Sequence, residues 1–405
     1  MADFKRMQNI CLQNSELSSS IVDEYLIYYA ASRNRLDKEM DQRLARFRHI
    51  KRKFQPEWIN MLKSQYITHR IFKENGLIKK YLNHSEIRGL DKSKLEYLQY
   101  QASYPWRFAF SMITANPAED FYEMEDVFRE NSFLLYSPGI TKTLTEHAVF
   151  TWFNLLSFNG ECWQSFGPIG AYKSFEPDDI FFFATELNPH IEHDQDLLRD
   201  LEKNPVPYML LLAGASYPPT FHQKDQLVQA TSWYNQGDFN AGALEKHFKI
   251  EYAHDVYRLT LKKWGKHPHF CTVYYDETKK ILLLSSMTDR GYTTLAKRLI
   301  EYGYDLSEEP DIRINPSMLI TAQDILKRKI QLNAYDDLFP EKISENETED
   351  NKKLNNLLEL VMPEINAGRE PDIKSLTRKA GVDENTALEM VKIVMQQMKD
   401  LPGKP

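Results

Sequence analysis

Twenty of the chain's fifty aromatic residues fall between Tyr104 and Phe183, about a fifth of its 405 residues. They sit in short runs broken by Gly, Pro, Asn and Asp, with the two-residue period of half-buried strands. The runs place strands near 106–114, 121–128, 131–136, 148–158 and 162–172. Asn159-Gly160 tolerates positive φ at both positions, which predicts a tight hairpin. Arg129-Glu130-Asn131 is a second turn candidate. Five short antiparallel strands suit a small barrel, SH3-like or OB-like. Pro177, with Asp178 and Asp179 beside it, opens a closing helix whose dipole those acids complement. Phe181, Phe182 and Phe183 point in three directions on that helix, so it is expected to pack between two domains.

Either side of this block the pattern changes, and the expected fold class is α+β multidomain. From Ser20 to Phe54 there is no Gly or Pro, and apolar residues recur at near-helical spacing. Pro56 then opens a second amphipathic helix. The layout reads as a basic helical module (1–103), the aromatic-rich barrel with its closing helix (104–187) and a Pro-containing connector (188–207). An α+β domain (208–335), an acidic linker (336–353) and a helical tail (354–405) follow. The α+β domain carries strand candidates at 208–213, 228–234, 255–262, 270–276 and 280–286. Helices at 292–302 and 321–331 are expected to cover one face of that sheet.

Composition excludes several classes. No apolar run approaches the roughly 18 residues that cross a bilayer, and the N-terminus leads into polar residues, so no membrane association is expected. Cys11, Cys162 and Cys271 are too few and too scattered for a disulfide framework, which points to a reducing cytoplasm. There is no P-loop, dinucleotide fingerprint or nucleophile elbow, and no cofactor is expected. Residues 1–100 hold 19 Lys and Arg against 12 Asp and Glu, so the net charge of −7 leaves −14 on the remainder. Arg43, Arg46, Lys51, Arg52 and Lys53 form the densest basic window and are the polyanion-binding candidates. The competing account is a solvated helical face.

Three further constellations carry chemistry. His267, His269 and Cys271 occupy alternate positions, where imidazole and thiolate on one strand face would suit zinc. Against this, Pro268 interrupts the strand and no fourth ligand is evident, so a core Cys271 with surface histidines is the alternative. Glu123 and Glu125 share a strand face, as paired carboxylates or as a solvated edge. Trp106, Trp152 and Trp163 are candidates for a hydrophobic partner surface; few basic residues interleave with them, which disfavours nucleotide stacking.

In the tail, Leu376-Thr377-Arg378-Lys379-Ala380-Gly381-Val382-Asp383-Glu384-Asn385-Thr386-Ala387 resembles the helix-turn-helix pattern of bacterial repressors. The resemblance implies Ala380 at the helix crossing, Gly381 at the turn and Ala387 facing inward. It departs from that pattern in presenting Asp383, Glu384 and Glu389 where a DNA reader needs donors. The expectation from the whole sequence is a non-enzymatic cytoplasmic binding or scaffolding protein with a protein partner. A nucleic-acid-associated protein is the alternative, and an enzyme with a site assembled from distant residues the second alternative.

Overall fold

The N-terminal helix is not of one kind. Helix α1 (Phe4–Ser18) runs into a π-helical segment (Ser19–Leu26), which runs into α2 (Ile27–Asn34). The rod ends at Arg35, whose φ of 55° is left-handed and breaks the ladder. The helix expected from Ser20 to Phe54 is therefore several pieces, with α3 (Leu36–Ala45) and α4 (Arg48–Lys51) following the break. Pro56 occupies the first turn of α5 (Pro56–Phe72), where its missing N–H costs nothing. Short helices α6 (Ile78–Tyr81) and α7 (Ser85–Arg88) lead to α8 (Lys92–Ser103). The computed structural model describes residues 3–144, 148–264, 269–333 and 335–339. In the tail it describes 353, 356, 357, 360, 361, 371–384, 387, 388 and 391.

The five expected strands close into a barrel. They are β1 (Arg107–Ala118), β2 (Phe121–Asp126), β3 (Asn131–Tyr136), β4 (Thr151–Phe158) and β5 (Trp163–Tyr172), in the order β1-β2-β3-β5-β4. Helix α9 (Pro138–Leu144) lies between β3 and β4. Every pairing is antiparallel except β3 with β5, where Leu135 faces Trp163 and Tyr136 faces Gln164 in parallel. Alternation sorts the aromatics. Tyr122, Phe133 and Trp152 fill the barrel with Met124, Leu135 and Leu156. Phe108, Phe110 and Phe153 point outward into the helical core beside Leu62, Tyr66 and Phe72.

Helix α10 (Pro177–Leu187) begins on a capping box between Glu176 and Asp179. It buries Ile180 and Phe183 in the helical core, with Phe181 and Phe182 partly buried against it. Residues 188–207 are not an open connector. They hold α11 (Asp194–Lys203) and the start of α12 (Pro205–Met209), with Leu197, Leu201 and Val206 fully buried. The segment 208–213 is likewise helical: α12 passes into a 3₁₀ turn at Leu210–Gly214. A short continuous apolar run does not separate strand from buried helix, and tertiary packing decided this one.

A small hairpin, β6 (Phe221–His222) with β7 (Asp225–Gln226), precedes the second sheet. Strand β8 (Gln229–Asn235) and helix α13 (Ala241–Leu244) lead to β9 (Phe248–Ala253), β10 (Val256–Leu261), β11 (Thr272–Asp276) and β12 (Ile281–Ser286). With β13 (Ile312–Ile314) they form an antiparallel sheet in the order β13-β8-β12-β11-β10-β9. Helix α14 (Asp289–Ile300) covers one face through Tyr292, Leu295 and Leu299, as expected. Helix α15 (Pro316–Leu326) does not join it; Met318, Ala322 and Ile325 pack into the helical core. The chain divides into two compact units, Met1–Tyr335 and Asp336–Pro405. In the second, the helix Ile373–Ala380 stops at Gly381, whose φ of 70° suits only glycine comfortably.

Candidate functional site

A cleft of about 460 Å³ opens where the N-terminal rod, α5 and the β4–β5 hairpin meet. Its first wall is the end of α1 and the π segment, with Asn14, Ser15, Ser18, Ser19 and Asp23. A π-helical run widens the helix, so Ser19 and Asp23 turn to the cleft while Ile21, Val22 and Leu26 remain in the core. The second wall is the exposed side of α5, with Asn60, Met61 and Ser64. Ser157, Gln164, Ser165, Phe166 and Gly167 make the floor.

The floor is held in place by side-chain amides. Gln164 Nε2 donates to Ser15 Oγ and to the Cys11 carbonyl, each at 3.0 Å. Its Oε1 accepts from Asn14 at 2.8 Å and from Asn159 at 2.9 Å. Gln65 Nε2 on α5 donates to the carbonyls of Phe166 and Pro168, both at 3.0 Å. Gly167 permits that approach: its φ is +73°, and a Cβ there would come within 3.3 Å of Gln65. Asp23 supplies the only ionisable side chain of the lining. Partial enclosure, with Glu24 beside it, raises its carboxyl above the ordinary range. The lining therefore offers hydroxyls, amides and one acid, with one aromatic edge and one thioether.

Beneath the barrel lies a second concentration of polar groups, and it is a joint. His69 on α5 is fully buried, and its Nε2 meets Glu202 of α11 at 2.8 Å. Burial lowers the imidazole's proton affinity against the pull of Glu202, so it donates as a neutral ring. Lys73 donates to the Glu202 carbonyl at 2.7 Å. Arg129 donates to Asp126 at 2.9 Å and to the Phe108 carbonyl at 3.1 Å. Arg107 lies 3.8 Å from Asp126 and stacks over Trp163, 4.7 Å from the ring centre. These groups tie α5 and α11 to the barrel, and a wholly buried His69 has no route to a substrate.

The residues singled out by sequence are dispersed. Trp106 and Trp152 are 1% and 0% exposed, so neither offers a partner surface; one stacks on Phe72 and the other fills the barrel. Trp163 is half-buried under Arg107. Of the basic window, Arg43 is paired with Glu39 and Lys53 with Asp324, while Arg46 and Arg52 are exposed and Lys51 is half-buried. His267 lies outside the described residues. His269 meets Thr288 Oγ1 through Nδ1 at 2.8 Å, and Cys271 is buried against Ser286 and the Gly291 carbonyl. Strand β11 starts only at Thr272, so the shared strand face does not form. Among the described residues no group of three His, Cys, Asp or Glu side chains could hold a metal ion. Nor is any helix there long and apolar enough to cross a membrane.

Sequence reasoning missed the cleft because its lining comes from three distant segments of serine, asparagine and glutamine. Such residues read as solvated surface wherever they occur. The Ser18-Ser19-Ser20 run inside an otherwise apolar helical pattern was the one signal available. Comparison with protein-family models, curated proteins and solved structures finds no match to this chain.

Proposed function

We propose that this chain is a non-enzymatic cytoplasmic binding protein, and that its ligand is an uncharged, hydroxyl-rich molecule seated in the cleft. The carrying observation is the composition of the lining: six serines and three amide side chains around about 460 Å³, with a single carboxylate. The hydroxyls and the Asn14 and Asn60 amides can both donate and accept, which matches a ligand bearing many hydroxyls, while Gln164 is spent holding the floor. One aromatic edge, Phe166, gives a sugar-like ring an apolar face to rest on. A lone Asp23 without a second acid or a base does not assemble acid–base chemistry.

The barrel supports the same reading. Its β3–β5 parallel pair, its β1–β4 closure and the helix between β3 and β4 favour the OB-like over the SH3-like arrangement, in which a meander would stay antiparallel. OB-like barrels serve as platforms for oligomeric polar ligands. The helix-turn-helix reading of the tail stays a proposal for a docking module. Ala380 and Ala387 are buried in one cluster with Val391, while Asn385, Thr386 and Glu389 lie outside the described residues. A nucleic-acid role would rest on Arg46 and Arg52, the exposed members of the basic window.

The test is thermal stabilisation of the full chain by neutral mono- and oligosaccharides, with a dT oligonucleotide as the polyanion probe. At least one sugar should raise the melting temperature of the wild type and not of Ser64→Trp, whose indole would fill the cleft. Sugar responses that survive Ser64→Trp, or their complete absence across the panel, would overturn the reading. Stabilisation by the oligonucleotide, lost in Arg46→Glu/Arg52→Glu, would replace it with the nucleic-acid role.

A further inference from the structure

We propose that Cys11 and Cys162 are a redox modification site, forming a reversible disulfide that latches α1 to the β4–β5 turn. The two residues stand 151 positions apart in sequence, yet their sulfurs are 3.4 Å apart and both are buried. The pair is embedded in a built environment. Asn159 Nδ2 donates to Cys11 Sγ at 3.2 Å and lies 3.6 Å from Cys162 Sγ. Asn159 is itself locked, because its Oδ1 accepts from the backbone of Glu161 and Cys162. The proposal does not depend on what the cleft binds.

The site is polarised between its two thiols. The hydrogen bond from Cys162 draws the Cys11 thiol below its ordinary value; burial opposes this and Asn159 assists. The same bond, with burial, pushes Cys162 far the other way. Asn159 Nδ2 stands nearer Cys11 Sγ than Cys162 Sγ, which assigns the attacking thiolate to Cys11 and the resolving role to Cys162. Cys271 supplies the contrast: it has no second sulfur, and burial pushes it up to about 11. Access comes from α1 itself. That helix meets the barrel through Phe4, Met7 and Cys11 against Phe121, Leu134 and Tyr136, through Arg6 on Glu161 and through Gln164, and most of its other side chains are exposed. Local opening of a helix with so much solvated surface costs less than global unfolding.

The oxidant is hydrogen peroxide. The Cys11 thiolate attacks one peroxide oxygen; the S–O bond forms, the O–O bond breaks, and the released hydroxide takes a proton to become water. Cys162 sulfur then attacks Cys11 Sγ; the S–S bond forms and the S–O bond breaks. The Cys162 proton leaves with the hydroxide as a second water. Two thiols give up two electrons and the peroxide accepts both. A dithiol reverses the step by exchange.

The experiment treats the native full chain with hydrogen peroxide and follows free thiols, intact mass and amide exchange. Two of the three thiols should disappear, with a mass loss of two hydrogens and a linked Cys11–Cys162 peptide. Exchange across α1 should slow about tenfold, because the latch abolishes its local opening. Dithiothreitol should restore the starting state, Cys162→Ser should prevent the change and Cys271→Ser should not. Three titratable thiols after treatment, a link involving Cys271, or a single cysteine oxidised to sulfinic acid would each overturn the proposal. These readouts are made on the wild type, so a poorly folding variant does not blunt them.

Discussion

The barrel and the six-stranded sheet share one unit, yet they differ in how they treat uncharged buried polar groups. In the sheet, polar groups are partnered. Ser232 Oγ accepts from the Tyr292 hydroxyl at 2.7 Å and from the Asp311 amide at 2.8 Å, and Gln229 donates to Ser285 at 2.6 Å. Facing into the barrel, Ser111 Oγ, Trp152 Nε1 and both amide atoms of Asn154 are buried without a hydrogen-bond partner. The register explains the crowding: Ser111 lies opposite Trp152 and Ala109 opposite Asn154, so these groups share one inward stripe of β1 and β4. An open sheet can send a polar side chain to a covering helix or an edge, whereas a closed barrel offers its lumen and little else. Such departures from local consistency gather at functional modules, and the cleft floor is made from this same barrel.

The largest expected effect is in the lumen. Trp152→Ala should cost about 3–5 kcal/mol in urea unfolding, since a fully buried indole leaves a cavity that closed strands cannot collapse into. Leu284→Ala, in the sheet core, belongs to a class that spans about 2–5 kcal/mol, and we expect the lower end because α14 can settle into the space. A Trp152→Ala cost below about 1 kcal/mol would mean that the lumen is already loosely filled, and the contrast would fail. The joint comes next. Glu202→Ala should cost about 2–3 kcal/mol, because it strips the partner from His69 and removes the negative charge that faces Arg129 and Lys73, although Lys73 keeps its bond to the backbone carbonyl.

The seam between barrel and sheet makes the third prediction. Asp179 on α10 accepts from the Asn315 amide at 2.7 Å and from Glu176 at 2.9 Å, while Arg313 forks onto Asp289. Burial outweighs those two amides and lifts Asp179 to about 7. A carboxyl raised in the folded state holds its proton more tightly there than in the unfolded chain. Its contribution is therefore fully present below the ordinary carboxylate range and is lost as pH rises through about 7. Unfolding free energy should fall between pH 5 and 8 by on the order of 2 kcal/mol, seen as a falling melting temperature, and Asp179→Asn should flatten that slope. An unchanged slope in Asp179→Asn would place the seam's pH dependence elsewhere.

How much of this was legible in sequence follows from the range over which each signal acts. Strand β4 ends where Asn159-Gly160 announces a turn, and that turn forms: Gly160 adopts φ +99° and Asn159 accepts from two backbone amides. Alternation and turn chemistry are local, so the barrel's strands could be read residue by residue. Residues 188–207 read as a Pro-containing connector, but Pro205 stands at a helix start, where it is welcome. The cleft was illegible for another reason. Asn14, Ser64 and Gln164 acquire a shared purpose only when three elements converge, and nothing in their own neighbourhoods marks them. Cys11 and Cys162 are similar: two isolated cysteines in sequence, one contact in space.

The smallest effects test the comparison most directly, because they should carry opposite signs. Asn154→Leu replaces two unpartnered amide atoms in the lumen by methyls of similar bulk, beside Trp152 and Leu156. Removing buried polarity that makes no hydrogen bond should stabilise the fold by about 1 kcal/mol. Ser232→Ala in the sheet also removes a buried polar atom, but one that serves the Tyr292 hydroxyl and the Asp311 amide. Tyr292 keeps its contact with Tyr234 at 3.1 Å, while the Asp311 amide loses its acceptor. That loss should destabilise by about 1 kcal/mol. Paired urea titrations of the two variants read the difference. Two destabilising values would show that Asn154 is engaged by ordered water or a ligand inside the barrel, which would make the lumen an extension of the cleft rather than a strained core.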